Sequence, residues 1–216
     1  LLKADLHVHT EYSMDCSMTL DTVIERCQQL GINCIAIADH GTIEGALEMQ
    51  RLAPFTVIVA EEVLTPYGEI MGMFLKETVP NGLSVAQTIA QIRAQDGIVC
   101  IPHAFDTFRP SALGEKIVEE IAQEIDVIEV FNARCLLQRS ADRALAFARK
   151  YNTVQSAGSD AHTPGEIGNA YVEMAEFKGR DDFLQALAKG KIIGRRTNPL
   201  THFASAWNKL KNRAWR

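Results

Sequence analysis

The chain contains no C-x-x-C pair, no G-x-x-x-x-G-K-[ST] loop, no G-x-G-x-x-G fingerprint and no apolar run near the roughly 18 residues of a membrane span. A zinc ribbon, nucleotide-driven phosphoryl transfer, hydride transfer and a membrane-embedded protein are therefore poorly supported. Five cysteines, Cys16, Cys27, Cys34, Cys100 and Cys135, are an odd number, which argues against a disulfide framework. Reduced thiols in a cytoplasmic protein fit best, with Cys27, Cys34 and Cys100 as small core residues. No charged-then-apolar leader precedes Ala4-Asp5-Leu6, so no secretory signal is expected. Basic charge is also short, with 22 Lys and Arg against 27 Asp and Glu and a net charge of −5. That balance argues against a long nucleic acid as partner. Oligomeric state leaves no trace in the sequence.

What is present is an ordinary globular composition, 47% hydrophobic and 23% charged over 216 residues, suited to one domain. Short Val- and Ile-rich runs at Leu2–Val8, Cys34–Ala38, Thr56–Val63, Ile70–Leu75, Ile98–Ile101, Val127–Phe131 and Thr153–Ala157 read as buried strands. Thr19 caps a helix that aligns Leu20, Val23, Ile24, Cys27 and Leu30 on one face and stops at Gly31. Ser84 with Gln87 forms a capping box for a helix ending at Gly97. Further helices are expected over Ile43–Leu52, Glu115–Gln123, Leu137–Tyr151 and Asp181–Lys189, and a hairpin turn at Tyr67–Gly68. Strand then helix, repeated, is the pattern of an α/β fold with a largely parallel sheet. Residues 1–199 are expected to form the barrel domain. Residues 200–216 are expected to form a C-terminal helical extension packed on it, with Phe203, Trp207, Leu210 and Trp215 as the apolar face.

The histidines carry the chemistry. Asp5-Leu6-His7-Val8-His9 is D-x-H-x-H on the first strand, where a period of two places Asp5, His7 and His9 on one side. Asp39-His40, Glu61-Glu62, Pro102-His103, Glu129 with Asn132, and Asp160-Ala161-His162 each close a later strand. In α/β barrels the loops after the strand ends share one rim. A lone histidine at a strand end is more often a hydrogen-bonded structural residue. Five of them, with carboxylates, at successive strand ends read as a metal site. His202 falls outside this pattern. Imidazoles with carboxylates suit zinc, iron or manganese rather than calcium, and the set is too large for one tetrahedral ion. Two or three closely spaced ions generate hydroxide near neutral pH and clamp both oxygens of an in-line displacement, chemistry usually directed at phosphate esters.

Asp5-Leu6-His7-Val8-His9-Thr10, Ala38-Asp39-His40-Gly41, Pro102-His103 and Gly158-Ser159-Asp160-Ala161-His162, in this order, resemble the four signature motifs of the PHP (polymerase and histidinol phosphatase) superfamily. Gly68-Glu69-Ile70-Met71-Gly72 and Ile128-Glu129-Val130-Phe131-Asn132-Ala133-Arg134 also resemble its stand-alone members. The resemblance implies a distorted seven-stranded, TIM-like β/α barrel with a two- or three-metal centre. It assigns one ion to His7, His9, Glu62 and Asp160, with Glu62 as the bridge. A second ion would take Glu62, His103 and a ligand near Asn132, and a third Asp15, His40 and His162. Glu61 competes with Glu62 for the bridging role, and Glu129 reads as a partner of a ligand. Arginine matches phosphate oxygens in planar geometry, which makes Arg134, then Arg109, then Arg195-Arg196 the candidate phosphate readers. The expected activity is metal-dependent hydrolysis of a small phosphate ester, a phosphomonoester or nucleotide, by a metal-bridged hydroxide. Asp160 and His162 are candidates for orienting the nucleophile or protonating the leaving group. The loop Phe105–Leu113 and the region after His162 are expected to set substrate choice. The alternatives are a metal-bearing structural or interaction module and a metal-dependent amidohydrolase.

Overall fold

The computed structural model describes residues 1–198. The expected C-terminal helix over 200–216 and His202 lie outside the described residues. Strand β1 (Leu2–Val8) is followed by α1 (Leu20–Leu30), β2 (Cys34–Ile37), α2 (Glu44–Leu52), β3 (Thr56–Thr65), β4 (Gly68–Met73), α3 (Val85–Ala94) and β5 (Ile98–Ile101). The second half runs through α4 (Glu115–Glu120), β6 (Val127–Asn132), α5 (Gln138–Tyr151), β7 (Val154–Gly158), β8 (Ala170–Met174), α6 (Arg180–Ala188) and β9 (Lys191–Gly194).

The strands form one nine-stranded sheet in the order β7-β6-β5-β4-β3-β2-β1-β8-β9, not the seven-stranded one expected. Strands β1 to β3 and β5 to β7 are parallel. The hairpin partner β4 is antiparallel to both of its neighbours, and β8 and β9 add antiparallel strands beside β1. The sheet nearly closes where the end of β1 meets the chain after β7. There Asp160 N donates to His7 O at 2.8 Å and His9 N to Ala161 O at 3.0 Å.

Strand alternation sorts the core into two layers. Leu2, Ala4, Cys34, Ala36, Ile58, Ala60, Met71, Met73, Ile98 and Cys100 join one buried cluster, enclosed by the sheet and plugged by Phe183 and Leu187 of α6. Ile35, Ile37, Val57, Val59, Ile70, Val99 and Ile101 face the other way and meet Val23, Cys27, Met49, Ile89, Ile92 and Phe147 of the covering helices. The enclosed residues mix small Ala and Cys with larger Leu, Ile and Met, which lets them fill a narrow barrel interior.

The helix ends show how locally the chain is specified. Thr19 accepts a hydrogen bond from Thr22 N, and Gly31 takes the left-handed conformation at φ 67. The capping box of Ser84 and Gln87 is present on α3. That helix stops at Ala94, earlier than Gly97, because Asp96 supplies the left-handed residue at φ 60. Replacing Ser84 by alanine should cost about 1 kcal/mol. In a domain of this size that lowers the melting temperature by about 2–4 °C, readable by circular dichroism. An unchanged melting curve would mean the cap contributes nothing.

All five cysteines are free and buried. Burial pushes the thiols of Cys16, Cys27 and Cys34 up to about 12, which makes them inert packing groups. No helix among the described residues is long and apolar enough to cross a membrane.

Candidate metal centre

The mouth of the barrel is built by continuing the enclosed rows of the strands. On β3, Ile58 and Ala60 are followed by Glu62, and on β4 Met73 and Met71 are followed backwards by Glu69, so both carboxylates face inward. Glu61 continues the outer row of Val57 and Val59, and its Oε2 accepts from Val79 N at 2.9 Å. Burial pushes the Glu61 carboxyl up to about 7. The alternation thus separates the two neighbours: Glu62 lies in the mouth and Glu61 does not.

On β1 the simple period fails. The pairing with β2 shifts register between Asp5 and Val8, a bulge of the kind that re-aims side chains beside functional sites. Leu2, Ala4 and Leu6 face the enclosed cluster, yet His7 and His9 also turn toward the mouth. Asp5, expected beside them, instead accepts from Ser159 N at 2.8 Å and Gly168 N at 2.9 Å and fastens β1 to the chain after β7. Burial pushes the Asp5 carboxyl up to about 6.

Glu62 lies at the centre. Its Oε1 is 2.9 Å from His103 Nε2 and 3.3 Å from His7 Nε2, and its Oε2 is 3.4 Å from His9 Nε2 and 3.5 Å from His40 Nδ1. Asp160 Oδ1 faces His9 Nε2 at 3.4 Å and His7 Nε2 at 3.8 Å. Its Oδ2 is held by Arg109 Nη2 and by Asn132 Nδ2 at 3.3 Å. Asp15 Oδ2 is 3.4 Å from both His40 Nε2 and His162 Nε2. His103 (φ 32) and Asp160 (φ 55) sit in the left-handed region, where non-glycine residues persist only if their surroundings hold them.

Glu69 lies in the Gly68–Gly72 segment that resembles stand-alone members, to which the resemblance assigns no ligand role. Its Oε2 lies 3.3 Å from His103 Nε2 and its Oε1 3.5 Å from His40 Nδ1. Asn132, expected near the second ion, is held at the mouth by hydrogen bonds. Its amide donates to Glu129 Oε2 at 2.9 Å and its oxygen accepts from Arg134 N at 2.9 Å. Glu129 in turn meets His7 Nδ1 at 3.2 Å and accepts from His103 N at 2.5 Å, the place of a residue that orients its neighbours.

Among the described residues, three groups have ligand atoms within 4.8 Å of one another: His9, Asp15, His40 and His162; His7, His9 and Glu62; and His40, Glu62 and Glu69. Glu62 Oε2, Glu69 Oε2 and Asp160 Oδ1 are buried with no hydrogen-bond partner. Buried carboxylate oxygens without partners are costly, and cations placed among them satisfy that cost. The residues therefore fit a cluster of divalent ions.

Electrostatics favour the ligand forms of His9, Asp15 and Asp160, whereas, overcoming burial, the carboxylates around His7, His40 and His103 raise those imidazoles toward the protonated form that a bound cation would displace. Burial, followed by His162 and His40 alongside, pushes the His9 imidazole down to about 3 and keeps it neutral. Burial opposes charge on Asp15 and Asp160. His162 and His40 nevertheless hold Asp15, and Arg109 and His7 hold Asp160, well below the usual carboxylate range.

Above the cluster opens a cavity of about 350 Å³ lined by Asp15, His40, Glu69, Arg109, Arg134 and His162, with Leu64, Phe108 and Leu136 at its edge. Arg134 is buried, with Nη1 on His162 Nδ1 and Nε 3.5 Å from Glu166 Oε1. Arg195 and Arg196 are not brought to this cavity. Arg195 Nε donates to Asn169 Oδ1 at 2.8 Å, and Arg196 ties the backbone of Cys135 to Gln138.

Fold and site together define an α/β barrel protein with an imidazole- and carboxylate-lined centre at its mouth. The chain belongs to the PHP domain family: the PHP domain matches residues 5–99 and the PHP-associated region residues 138–192. Two proteins of Methanocaldococcus jannaschii are similar to it. The uncharacterized protein MJ0417 is 35% identical over 179 residues, covering 81% of this chain and 71% of its own. The uncharacterized protein MJ1587 is 36% identical over 145 residues, 61% and 82% respectively. The fold is similar to a two-domain protein from Bacteroides vulgatus containing a predicted PHP-like metal-dependent phosphoesterase. The TM-score is 0.73 at 16% identity, over 90% of this chain and 65% of that one. It is also similar to an amidohydrolase from Chromobacterium violaceum solved with sulfate and no metal, with a TM-score of 0.64 at 14% identity over 94% and 96%.

Proposed function

We propose that this chain hydrolyses small phosphate esters, phosphomonoesters or nucleotides, with two or three divalent ions of zinc, iron or manganese. The observation that carries this reading is the overlap of the three donor groups. Glu62 belongs to two of them, as do His9 and His40, so the groups form one polynuclear centre rather than separate sites. His7, His9, Glu62 and Asp160 would hold one ion, Asp15, His40 and His162 another, and Glu62, His103 and Glu69 a further one. Bound ions supply acidified water and charge neutralisation for displacement at phosphorus.

The chain's own residues do the rest. Arg109 and Asn132 grip Asp160 Oδ2, leaving Oδ1 turned to the histidines. Arg134 and Arg109 put positive charge on the cavity floor, where phosphate oxygens would lie. His162 lines that floor, and Asp160 lies beneath it with Oδ1 3.5 Å from His162 Nδ1; in this reading Asp160 orients the nucleophile and His162 protonates the departing oxygen.

The test pairs metal analysis with a panel of phosphate esters and amides. Protein prepared without a chelating column should carry at least two ions per chain and turn over a phosphate ester. Glu62→Gln should lose ions and activity together, while Glu61→Gln keeps its ions. Turnover of amides alone would favour an amidohydrolase. Bound ions without turnover of either class would favour a structural module.

A further inference from the structure

The mouth cavity has two unlike sides, and this bears on the substrate of the phosphoesterase proposed above. Its floor carries His40, His162, Asp15, Arg109 and Arg134. Its rim carries Leu64, Phe108 and Leu136, which are 47%, 66% and 45% exposed. Single exposed apolar residues are ordinary. These three come from separate parts of the chain, the end of β3, the loop before α4 and the loop after β6, and meet around one charged opening. Exposed apolar surface bordered by polar groups in this way marks a ligand contact.

Phe108 is displayed by a loop that is itself held. Phe108 N donates to Asp106 Oδ1 at 3.0 Å, Ala112 N to Arg109 O at 3.0 Å, and Glu69 N to Ser111 O at 2.8 Å. Phe105 is buried with its ring centroid 6.0 Å from that of Phe147, and the Arg143 guanidinium lies 5.0 Å over its face. The backbone of Phe105 is left-handed at φ 60, an unusual state for a bulky residue that the surrounding packing maintains. One residue after Phe108, Arg109 reaches down to Asp160. The loop therefore sets an aromatic ring at the rim and a guanidinium at the floor in consecutive positions.

We infer that the rim binds the organic part of the substrate and selects a flat, carbon-rich group, aryl or heteroaryl, over a polyol or open-chain sugar. With the phosphate on the arginines and histidines, the ester oxygen points outward and its substituent lies between Phe108, Leu136 and Leu64. A ring stacks on Phe108. A polyol would instead set its hydroxyls against leucine side chains, with water and Ser111 as their partners, and would gain no stacking on Phe108. The cavity volume of about 350 Å³ holds a phosphate and a small ring system.

The experiment compares phenyl phosphate with glycerol 2-phosphate as substrates of the metal-loaded protein, wild type and Phe108→Ala. The ratio of their kcat/KM values should fall about tenfold in Phe108→Ala, through KM for phenyl phosphate, and be restored in Phe108→Trp. Binding of phenylphosphonate and methylphosphonate by calorimetry gives a second readout, with phenylphosphonate tighter in the wild type by about tenfold and the gap closed in Phe108→Ala. An unchanged ratio in Phe108→Ala, or equal binding of the two phosphonates by wild type, overturns the apolar-rim assignment and leaves the phosphoesterase reading standing. If neither phosphate is hydrolysed by metal-loaded protein, the phosphoesterase reading fails, and the phosphonate affinities still decide the rim.

Discussion

Replacing Asp160 by alanine should reduce turnover of a phosphomonoester by roughly a thousandfold or more, about 4 kcal/mol in the barrier. The size follows from how the carboxylate is used. Oδ1 is buried without a hydrogen-bond partner and faces His9 and His7 at 3.4 and 3.8 Å. Oδ2 anchors Arg109 and Asn132. Alanine removes an oxygen donor from the cluster and leaves a mostly buried guanidinium without its counter-charge, which is among the costlier ways to alter a protein interior. His7→Ala should act in parallel, because His7 Nε2 faces Glu62 while Nδ1 is fixed by Glu129. Both variants should also lose bound metal, measured by elemental analysis on folded protein. Wild-type turnover by both in metal-replete buffer would contradict the assignment.

Gly158→Ala should be the most damaging small substitution in the barrel. An added Cβ there would lie 2.3 Å from the Cβ of His7, 2.8 Å from Glu129 Oε1 and 2.9 Å from His7 N. Two of those atoms belong to β1 at its bulge, so the strand that carries the D-x-H-x-H motif must move. Overpacking of this kind costs about 3 kcal/mol, a fall of about 6–12 °C in melting temperature for a domain of this length. Because the displaced residue is His7, metal content should fall as well. Gly165→Ala is the control: nothing lies within 4 Å of its added Cβ, and its melting temperature should stay within about 2 °C of wild type. Equal stability of the two variants would mean that the approach of β7 to β1 is looser than the packing indicates.

Much of this architecture is readable from residues alone, for identifiable reasons. Strands β2 and β5, and most of β3 and β6, are apolar runs because both of their faces are buried. Strands β8 and β9 escape the same reading because they are partly exposed: Tyr171 and Glu173 alternate with buried residues, and β9 begins and ends exposed. The bulge in β1 cannot be read from a period of two, which is why the sequence pattern points Asp5 into the mouth while the residue lies at the seam. Glu69 carried a signal that was available. It is a lone acid in a strand whose Met71 and Met73 share its face, beside the hairpin that pairs β4 with Glu61 and Glu62. The use of Asn132 to hold Glu129, Asp160 and the backbone of Arg134 depends on contacts between distant segments, to which no local pattern speaks.

The convergence of these side chains on cations is tested most directly by diffraction from crystals grown with manganese, recorded near the manganese absorption edge. Anomalous peaks should lie between His7, His9 and Glu62 and between Asp15, His40 and His162, with any third peak beside His103 and Glu69. Crystals showing the same imidazole and carboxylate positions with no anomalous density among them would contradict a metal centre at this mouth.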